Sequence, residues 1–540
     1  MNHLSGLDAA FLHIESPEMP MHVGALNVLD LPEGYSGDFF EDARQYLLQR
    51  LHLADVFTRK LALMPFDLSN PVWVEDEDID IDYHIRHITL PKPGTNRQLQ
   101  QYVARLHSSL LDRSRPLWEF FLIDGLQSGQ VALYSKLHHA GIDGQAGVAV
   151  GRAIFDLEPT GRHIKPPRAN KPRRNQYQLG MAELAGAALR NTVEQYVKLF
   201  KLMPGMARAA RNLLLPPESG DAEPASPLAR VVARLSSLRG RQWLAPRTPF
   251  NVAITNQRSF AGRTVPLAEV KQIAKAMGVS VNDVVMATTS GALRRWLTEN
   301  DELPARSLSA AVPVSLRDAG DATANNQASM ILVNLATDEA DTAKRLKKIH
   351  ASSSAAKAAM SQVKAVIPTD FPMFGAPWLI SGISSLLGRS RIVNILPPIA
   401  NVAISNVAGS PVPMYFAGAR VVSYYPVSIP AHGMALNVTV QSYNGRIDYG
   451  LIACRRALPD IGELGDMVLA EHRTLLALAA AHQAEGSAAQ TMEATTTPAP
   501  PSARRKRKPQ LVLAKTPAKR PAGKQAAGVR RGGKLAGARQ

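Results

Sequence analysis

The residues best suited to chemistry lie in one stretch of the sequence, VALYSKLHHAGIDGQAGVAVGRAIFDL. Its composition and periodicity predict a strand over 131–137 and a helix over 147–157. His138, His139 and Asp143 therefore fall at a strand-to-helix turn, where a side chain can project into a cleft. Neighbouring side chains of a strand point to opposite faces. We therefore expect one histidine to meet a substrate and the other to pack or hydrogen-bond inward.

A single histidine near a carboxylate, with no nucleophile beside it, suits general base catalysis. An imidazole whose pKa is near neutrality can remove a proton from an alcohol as the alcohol attacks an activated carbonyl. A thioester needs no covalent enzyme intermediate, because its thiolate is already a good leaving group. We expect Asp143 to hold the ring, or to pair with an arginine and lock the turn that Gly144 marks. The developing oxyanion then needs a hydrogen-bond donor from elsewhere in the chain.

Other kinds of site fit parts of this pattern. Two histidines and an aspartate can ligate a metal ion, but adjacent strand residues diverge and no second ligand cluster is evident, so we expect no metal. A serine hydrolase would carry G-x-S-x-G, which the sequence lacks. His138 and Asp143 also have the H-x4-D spacing of glycerolipid acyltransferases, another acyl-CoA family. A buried histidine pair at a tight turn, without catalytic role, is the remaining interpretation.

Composition divides the chain into four regions. Residues 1–158 contain the histidine motif, 159–245 begin with a linker rich in proline and cations, and 246–485 alternate β-branched runs with helical segments. Residues 486–540 form a tail without aromatic side chains. Strands are interleaved with helices in both larger regions, which predicts two α/β domains.

Several elements of the region 246–485 can be predicted individually. LAEVKQIAKAMGVS predicts a helix that ends at Gly278, and DVVMATTSGALRRWL predicts another that begins after Val281 and Asn282. The stretches SLSAAVPVSL, ANVAISNV and MALNVTVQSY predict strands by their branched content.

The positive charge of the chain is concentrated at its C-terminus. Among 540 residues, 62 are Lys or Arg and 45 are Asp or Glu, which gives a formal net charge of +17. The segment from Gly486 to Gln540 has 13 basic residues and one acid, Glu493. The preceding part is therefore only mildly basic. The tail itself should be disordered, and it could contact nucleic acid or anionic lipid without specificity.

Cysteine content and hydropathy limit the class of protein further. Cys454 is the only cysteine, which excludes a disulfide framework and a cysteine-rich zinc site. No run approaches ~18 consecutive apolar residues, so a membrane-spanning helix is not expected. The segment MAELAGAALRNTVEQYVKLFKLM predicts a basic amphipathic helix that either packs between domains or lies on an anionic membrane. We expect a soluble or peripheral protein of the cytoplasm.

The stretch HHAGIDG resembles the HHxxxDG motif of the CoA-dependent acyltransferase superfamily, which includes chloramphenicol acetyltransferases and peptide-synthetase condensation domains. The surrounding chain is similar to the bacterial wax ester synthase/diacylglycerol acyltransferases. Similar segments follow in the order of that family: LSGLDAAFLHIESPEMPMHVG, WVEDEDIDIDYHIRHITLPKPG, SRPLWEFFLIDGL, NDVVMATTSGALRRWL, VPVSLRDAGD, ANVAISNVAGSPVPMYFAGAR and SYNGRIDYGL. The resemblance runs from residue 4 to about 480 and leaves the basic tail outside.

This resemblance implies an α/β fold of two chloramphenicol-acetyltransferase-like domains, with the active site in a tunnel at their interface. Acyl-CoA would enter one mouth as a substrate and diacylglycerol or a long-chain alcohol the other, with no bound cofactor. His139 would be the general base. His138 and Asp143 would be mainly structural, and Gly144 would permit the turn. Asn282 would be a candidate oxyanion donor, although Asn at a helix start is also a common N-cap.

Further substrate-binding candidates lie in the family-like segments: Pro116, Leu117, Trp118, Arg317, Ser405 and Asn406. The Pro-Leu-Trp group could line the acyl tunnel or belong to the core. The arginine could pair with Asp143 or contact a CoA phosphate. The Ser-Asn pair could face the cleft or simply form a strand and turn.

The sequence thus predicts an O-acyltransferase that makes triacylglycerol, wax ester or both by direct attack on the thioester. Two alternatives stay open. One is an acyltransferase of the same fold that acts on another hydroxyl acceptor. The other is a non-enzymatic lipid-granule or nucleoid-associated protein that works through its basic tail. The resemblance also implies peripheral attachment to the inner face of the membrane and to lipid droplets.

Overall fold

The computed structural model describes residues 2–4, 6–62, 71–142, 144–166, 244–315, 328–364, 394 and 397–496. Within these residues the strands form two six-stranded sheets and one three-stranded sheet. None of the described helices is long and apolar enough to cross a membrane.

The first half of the chain contributes five helices and seven strands to the described structure. The helices are α1 (Gly6–Ile14), α2 (Phe39–Leu48), α3 (Ile81–His84), α4 (Asn96–His107) and α5 (Gly144–Ile154). The strands are β1 (Asn2–His3), β2 (His22–Asp30), β3 (Arg59–Ala62), β4 (Val72–Glu75), β5 (Ile85–Thr89), β6 (Trp118–Asp124) and β7 (Val131–His138).

The second half contributes four helices and eight strands to the described structure. The helices are α6 (Leu267–Met277), α7 (Val281–Glu299), α8 (Thr342–Lys364) and α9 (Ile461–Thr496). The strands are β8 (Arg258–Pro266), β9 (Ser309–Ser315), β10 (Ala328–Asn334), β11 (Val402–Val407), β12 (Tyr415–Phe416), β13 (Ala419–Val427), β14 (Leu436–Tyr443) and β15 (Arg446–Cys454).

The sheet of the first half has the strand order β12-β13-β2-β7-β6-β5 and carries the histidine motif at the end of β7. All eight residues of β7 are buried, which explains its nearly continuous apolar sequence. Its lysine, Lys136, lies opposite Glu119 of β6, and the two buried side chains form an ion pair at 2.6 Å. A buried cation of this kind requires such a partner.

The sheet of the second half has the strand order β10-β9-β11-β14-β15-β8. Its core includes Leu451 of the sheet together with Ile273, Leu293 and Val468 from helices α6, α7 and α9. The helix α7 begins with a capping box, in which the backbone N–H of Asp283 donates to Oγ of Ser280 and the backbone N–H of Ser280 donates to Oδ2 of Asp283.

One strand of the second half completes the sheet of the first. The strand β13 pairs antiparallel with β2, from Arg420 opposite Asp30 to Val427 opposite Gly24. A buried cluster beneath this junction contains Leu26 and Tyr134 from the first half and Ile452 from the second. The region 246–485 therefore supplies strands to both large sheets, and the two halves share a core.

Most of the individually predicted elements are confirmed. The helix α6 ends where predicted, because Gly278 adopts a left-handed conformation with φ of 66°. The helix α7 and the strands β9, β11 and β14 also lie where the sequence places them. Some boundaries were wrong: α5 spans Gly144–Ile154 rather than 147–157, and α9 continues to Thr496, into the segment predicted to be disordered. The amphipathic segment and the rest of the tail lie outside the described residues.

Candidate functional site

The two histidines of the motif lie where strand β7 ends. His138 is the last residue of β7 and pairs with His22 of β2. His139 opens a single 3-10 turn, His139–Gly141, and its backbone N–H donates to the carbonyl of Met21 at 2.8 Å. The loop that precedes β2 therefore holds the backbone of His139 in place.

His138 is completely buried and both of its ring nitrogens are occupied. Its Nδ1 accepts the backbone N–H of Ala140 at 3.0 Å, and its Nε2 donates to Oε2 of Glu15 at 3.1 Å. The first contact fixes which nitrogen carries the proton of the neutral ring. His138 thus joins the turn to the end of helix α1, and it has no exposed surface for a substrate.

Glu15 is the centre of a buried ionic network. Its Oε1 accepts from Nη2 of Arg113 at 2.8 Å, and its Oε2 also accepts the backbone N–H of Met21 at 2.9 Å. Burial would raise the pKa of Glu15, but the hydrogen bond from His138, the charge of Arg113 and the hydrogen bond from the Met21 backbone together hold this pKa below its usual value. Glu15 is therefore an anion that ties together α1, the loop before β2 and the motif.

His139 has a different environment from His138. Its ring stacks on Phe11 of α1, with centroids 4.0 Å apart and planes 20° apart. Its Nδ1 is buried, with no hydrogen-bond partner among the residues that the structure describes. Burial lowers the pKa of His139, and its own backbone carbonyl opposes the shift only in part. The imidazole is therefore neutral at neutral pH, which is the form that can accept a proton.

Helix α1 and the residue that follows it supply the aromatic ring and the carboxylate that contact the two histidines of the motif. Phe11 and Glu15 are four residues apart, a spacing that places them on one face of the helical segment. Sequence reasoning missed both residues. Their signal was the segment LDAAFLHIES, which was recognised as family-like without a role for any of its side chains.

Two of the predicted site residues cannot be placed. Asp143 and Arg317 lie outside the described residues, so their expected pairing stays a prediction. Gly144 is described, and it is the first residue of α5. Within the described parts of the chain, no group of three His, Cys, Asp or Glu side chains is arranged to hold a metal ion.

Of the two roles considered for the Pro-Leu-Trp group, tunnel lining or core, Leu117 and Trp118 have the one in the core. Both side chains have 0% exposure, so no substrate surface remains on them. The Trp118 indole donates to the carbonyl of Phe57 at 3.1 Å and stacks on His84. Pro116 is buried as well. The group supports the motif through its backbone, because the Leu117 carbonyl accepts the N–H of His138 at 3.0 Å.

Two of the predicted site residues, Asn282 and Asn406, lie far apart in the sequence and contact each other in the structure. Nδ2 of Asn406, on β11, donates to Oδ1 of Asn282, in the first turn of α7, at 2.7 Å. This leaves the amide nitrogen of Asn282 as a donor for another group. Asn282 is not the N-cap, since Ser280 has that role. Ser405 precedes Asn406 on β11 and is half-buried.

A second buried histidine pair lies behind the motif. His22 donates from Nε2 to the carbonyl of His107 at 2.8 Å, and the two rings meet edge to face. His107 accepts the Tyr134 hydroxyl at Nδ1, 2.7 Å away, and donates from Nε2 to the carbonyl of Ser428 at 2.9 Å. This chain of hydrogen bonds runs from the strand beside His138 to the second half of the molecule.

The sequence was compared with families of known proteins. Residues 4–285 match the family described as wax ester synthase/diacylglycerol acyltransferase catalytic domain, and residues 324–475 match its C-terminal domain. A Mycobacterium tuberculosis protein provisionally named a diacylglycerol O-acyltransferase is 37% identical over 470 residues, covering 85% of this chain and 96% of its own. The O-acyltransferase WSD of Acinetobacter baylyi is 32% identical over 468 residues, covering 86% and 94%.

Solved structures support the same relationship. The wax ester synthase/diacylglycerol acyltransferase of Marinobacter aquaeolei superposes with a TM-score of 0.61 at 30% identity, covering 89% of this chain and all of its own. A starter condensation domain of rhizomide synthetase gives a TM-score of 0.50 at 12% identity, covering 89% and 94%, which bears on the fold alone. The predicted α/β fold with two domains of this kind is thereby confirmed.

Proposed function

Because the chain belongs to the wax ester synthase/diacylglycerol acyltransferase family, we propose that it transfers a long-chain acyl group from acyl-CoA to a hydroxyl group. The acceptor is diacylglycerol, a long-chain alcohol or both, so the products are triacylglycerol and wax ester. Acyl-CoA is a substrate in this proposal, and no bound cofactor takes part.

The environment of His139 is the observation that carries the proposed mechanism. Its imidazole has a lowered pKa, is held through its backbone by Met21 and lies flat on Phe11. In the proposed reaction this ring removes the hydroxyl proton while the oxygen forms a bond to the thioester carbon. The carbonyl electron pair moves to oxygen. When the tetrahedral intermediate collapses, the C–S bond breaks, the imidazolium returns the proton to the thiolate, and CoA and the ester leave.

Phe11 has a proposed role beyond holding the ring. A protonated imidazole develops during the reaction, and the face of an aromatic ring attracts a cation. The stacked geometry therefore stabilises the imidazolium more than the neutral ring, which assists proton removal without raising the resting pKa above neutrality. Glu15 is proposed as a positioning residue, since it reaches His139 only through His138 and the backbone of Met21.

Asn282 is the proposed donor to the oxyanion. Its Oδ1 is already engaged by Asn406, so its Nδ2 is the group that can stabilise negative charge on the former carbonyl oxygen. Asp143 and Arg317 retain their proposed parts as an orienting carboxylate and its partner or a contact to CoA.

The test is release of free CoA by the purified protein with palmitoyl-CoA and either hexadecanol or dipalmitoylglycerol. His139→Ala is assayed beside the parent protein, and the lipid products are separated by thin-layer chromatography. Acceptor-dependent release that disappears in the variant supports the proposal and ranks the two acceptors. Absence of release with either acceptor rejects them in favour of another hydroxyl compound. Undiminished release by the variant rejects His139 as the base.

We further propose that the protein attaches peripherally to anionic membrane and lipid droplets at the cytoplasmic face. The support is the concentration of cations in residues 486–540. Deletion of this segment should leave catalysis in detergent intact and weaken retention on anionic vesicles in a sedimentation assay. Equal retention of both proteins contradicts the attachment role, and retention on DNA alone assigns the tail to nucleic acid.

A further inference from the structure

A polar cleft of about 520 Å³ lies between helix α4 of the first half and the start of helix α9 in the second. Arginines line it from both sides: Arg97, Arg105, Arg258, Arg263 and Arg455. Three carboxylates also reach the cleft, so five cations oppose three anions and the net charge of the lining is positive. Such a surface attracts an anionic ligand.

Of the five arginines, Arg105 and Arg455 have no partner for their charge among the described residues. Arg97 pairs with Asp460 at 3.3 Å and Arg263 pairs with Asp466 at 2.8 Å. Arg105, on α4, and Arg455, just after β15, make no side-chain hydrogen bond or ion pair with the described residues, and both are exposed. They line the cleft from its two sides, one from the first half of the chain and one from the second.

The buried arginine of the cleft is also without a carboxylate among the described residues. Arg258 is 5% exposed, and its guanidinium donates only to carbonyls, including that of Glu18 at 2.7 Å. Burial lowers the pKa of Arg258 to about 10, opposed by the nearby Cys454 thiol. An unpaired buried cation is costly. An anion bound in the cleft would offset this cost.

The start of helix α9 adds a further attraction. Its first residues, Ile461 and Gly462, line the cleft, so backbone N–H groups of the first turn and the positive end of the helix dipole face the same space. Together with the arginines, these groups match a phosphate, which accepts several hydrogen bonds at once.

The cleft is connected to the catalytic histidine by a short piece of chain. Arg258 binds the carbonyl of Glu18, and Met21, three residues later, accepts the backbone N–H of His139. Arg258 also contributes electrostatically at His107, which terminates α4 behind the motif. The same short loop therefore contacts both the buried arginine of the cleft and the backbone of His139.

We propose that this cleft binds the phosphate groups at the nucleotide end of acyl-CoA, with the thioester arm directed toward His139. The identity of the ligand rests on the proposed acyltransferase function, whereas the phosphate chemistry of the cleft does not. Arg105 and Arg455 are the specificity-determining residues, because they are the arginines with charge to spare for the ligand.

The direct test is calorimetric titration of the full-length protein with CoA, with adenosine 3′,5′-bisphosphate and with pantetheine. Neutralising the cleft in Arg105→Gln/Arg455→Gln should weaken CoA and the bisphosphate roughly tenfold or more. Pantetheine, which lacks the nucleotide, should bind the variant and the parent equally. Arg473→Gln, an exposed change on α9 outside the cleft, is the matched control and should bind CoA like the parent.

Kinetics and vesicle binding separate the remaining outcomes. With palmitoyl-CoA the double variant should show a raised KM and a nearly unchanged kcat, and with palmitoyl-pantetheine it should match the parent. Unchanged CoA affinity overturns the proposal, and so does a loss of retention on phosphatidylglycerol vesicles without a loss of CoA affinity. Weakened CoA binding in a protein that never transfers the acyl group upholds the phosphate site and rejects the acyltransferase function instead.

Discussion

At the scale of single residues, the neighbouring histidines of the motif are separated by their surroundings. His138 cannot act on a substrate, because it is buried and both of its ring nitrogens are hydrogen-bonded, to Ala140 and to Glu15. His139 keeps its ring available, and only its backbone is tied down, by Met21. The same residue type therefore serves as a structural link at one position and as the proposed base at the next.

The lowered pKa of His139 predicts the acid limb of the pH profile. Because the neutral ring is the active form, kcat/KM should stay constant as the pH falls to about 6.5, the ordinary histidine value, and decline only below it. The measurement is the rate of CoA release between pH 4.5 and 8 at subsaturating palmitoyl-CoA. A decline that is complete before the pH falls below 6.5 would mean that a group with a raised pKa controls the rate.

Removing the charge of Glu15 should loosen the whole motif. Glu15→Gln leaves His138 and Arg113 without their shared carboxylate, which we expect to cost ~2 kcal/mol of unfolding free energy and to lower kcat at least tenfold. Urea denaturation and the CoA-release assay measure the two effects. Glu33→Gln, at an exposed position, is the control. Parent-like values for Glu15→Gln would show that the network does not position His139.

The kind of chemistry that suits the motif could be predicted from the sequence, but the residues that hold the motif in place could not. The strand pattern predicted that only one of the two histidines would meet a substrate, and the family resemblance identified His139 as the base candidate and His138 as structural. The contacts of Phe11 and Glu15 join residues more than a hundred positions apart in the chain, and periodicity carries no information about such pairs. Both roles stayed open for Trp118 for the same reason, since its apolar pattern does not say whether ligand or core faces the ring.

At the scale of elements, the molecule depends on a close approach between β15 and β13. A side chain at Gly450 would place its Cβ 1.7 Å from the carbonyl oxygen of Pro426, and both walls of this contact are backbone. The strand that crosses into the first sheet is therefore seated directly against the second sheet, with no room for adjustment.

This contact gives a prediction for glycine substitutions. Gly450→Ala should destabilise the fold by ~3 kcal/mol or more, because the strands must move apart to admit one methyl group. Gly151→Ala in α5 meets nothing within 4 Å and should instead stabilise by ~0.5–1 kcal/mol. Thermal unfolding of both variants is the measurement. Equal midpoints for the two variants would show that the strands are not held so closely.

Local sequence signals predicted some features of the elements, such as where a helix ends, but not others, such as which strands pair. The left-handed glycine at 278 ends α6, and this could be predicted because the signal lies within the element itself. The pairing of β13 with β2 could not, since alternating residues define the faces of a strand but not its neighbour. The start of α5 was misplaced because its glycines weaken the helical pattern that begins at Gly144.

At the scale of the whole molecule, His107 links the halves through its bond to the Ser428 carbonyl, and its buried ring makes the fold sensitive to acid. Burial lowers its pKa to about 3, with a contribution from Arg258, whereas an unfolded histidine titrates near 6.5. The unfolded chain therefore binds more protons throughout this window. Stability is highest above pH 6.5 and is lost as the pH falls toward 3, with His107 contributing on the order of 3 kcal/mol by pH 4.

The prediction is an acid sensitivity that one substitution reduces. Unfolding free energies from urea titrations at pH 7 and pH 4.5 should differ less in His107→Gln than in the parent, although the variant is less stable at pH 7. The glutamine has no charge to gain, so its contribution does not change with pH. An identical pH dependence of the two proteins would assign the acid sensitivity to other groups.

The crossing of β13 also has a consequence for biosynthesis. Ribosomes deliver the chain from its N-terminus, and β7, the partner of β2, leaves the tunnel roughly 290 residues before Val427 of β13. At ~5–20 residues per second, the outer edge of β2 stays without its neighbour for roughly 15 to 60 seconds. During that interval the nascent chain presents an open strand edge to every other nascent chain around it. Translation speed and chaperone supply, as much as the sequence of the finished enzyme, should therefore govern its yield.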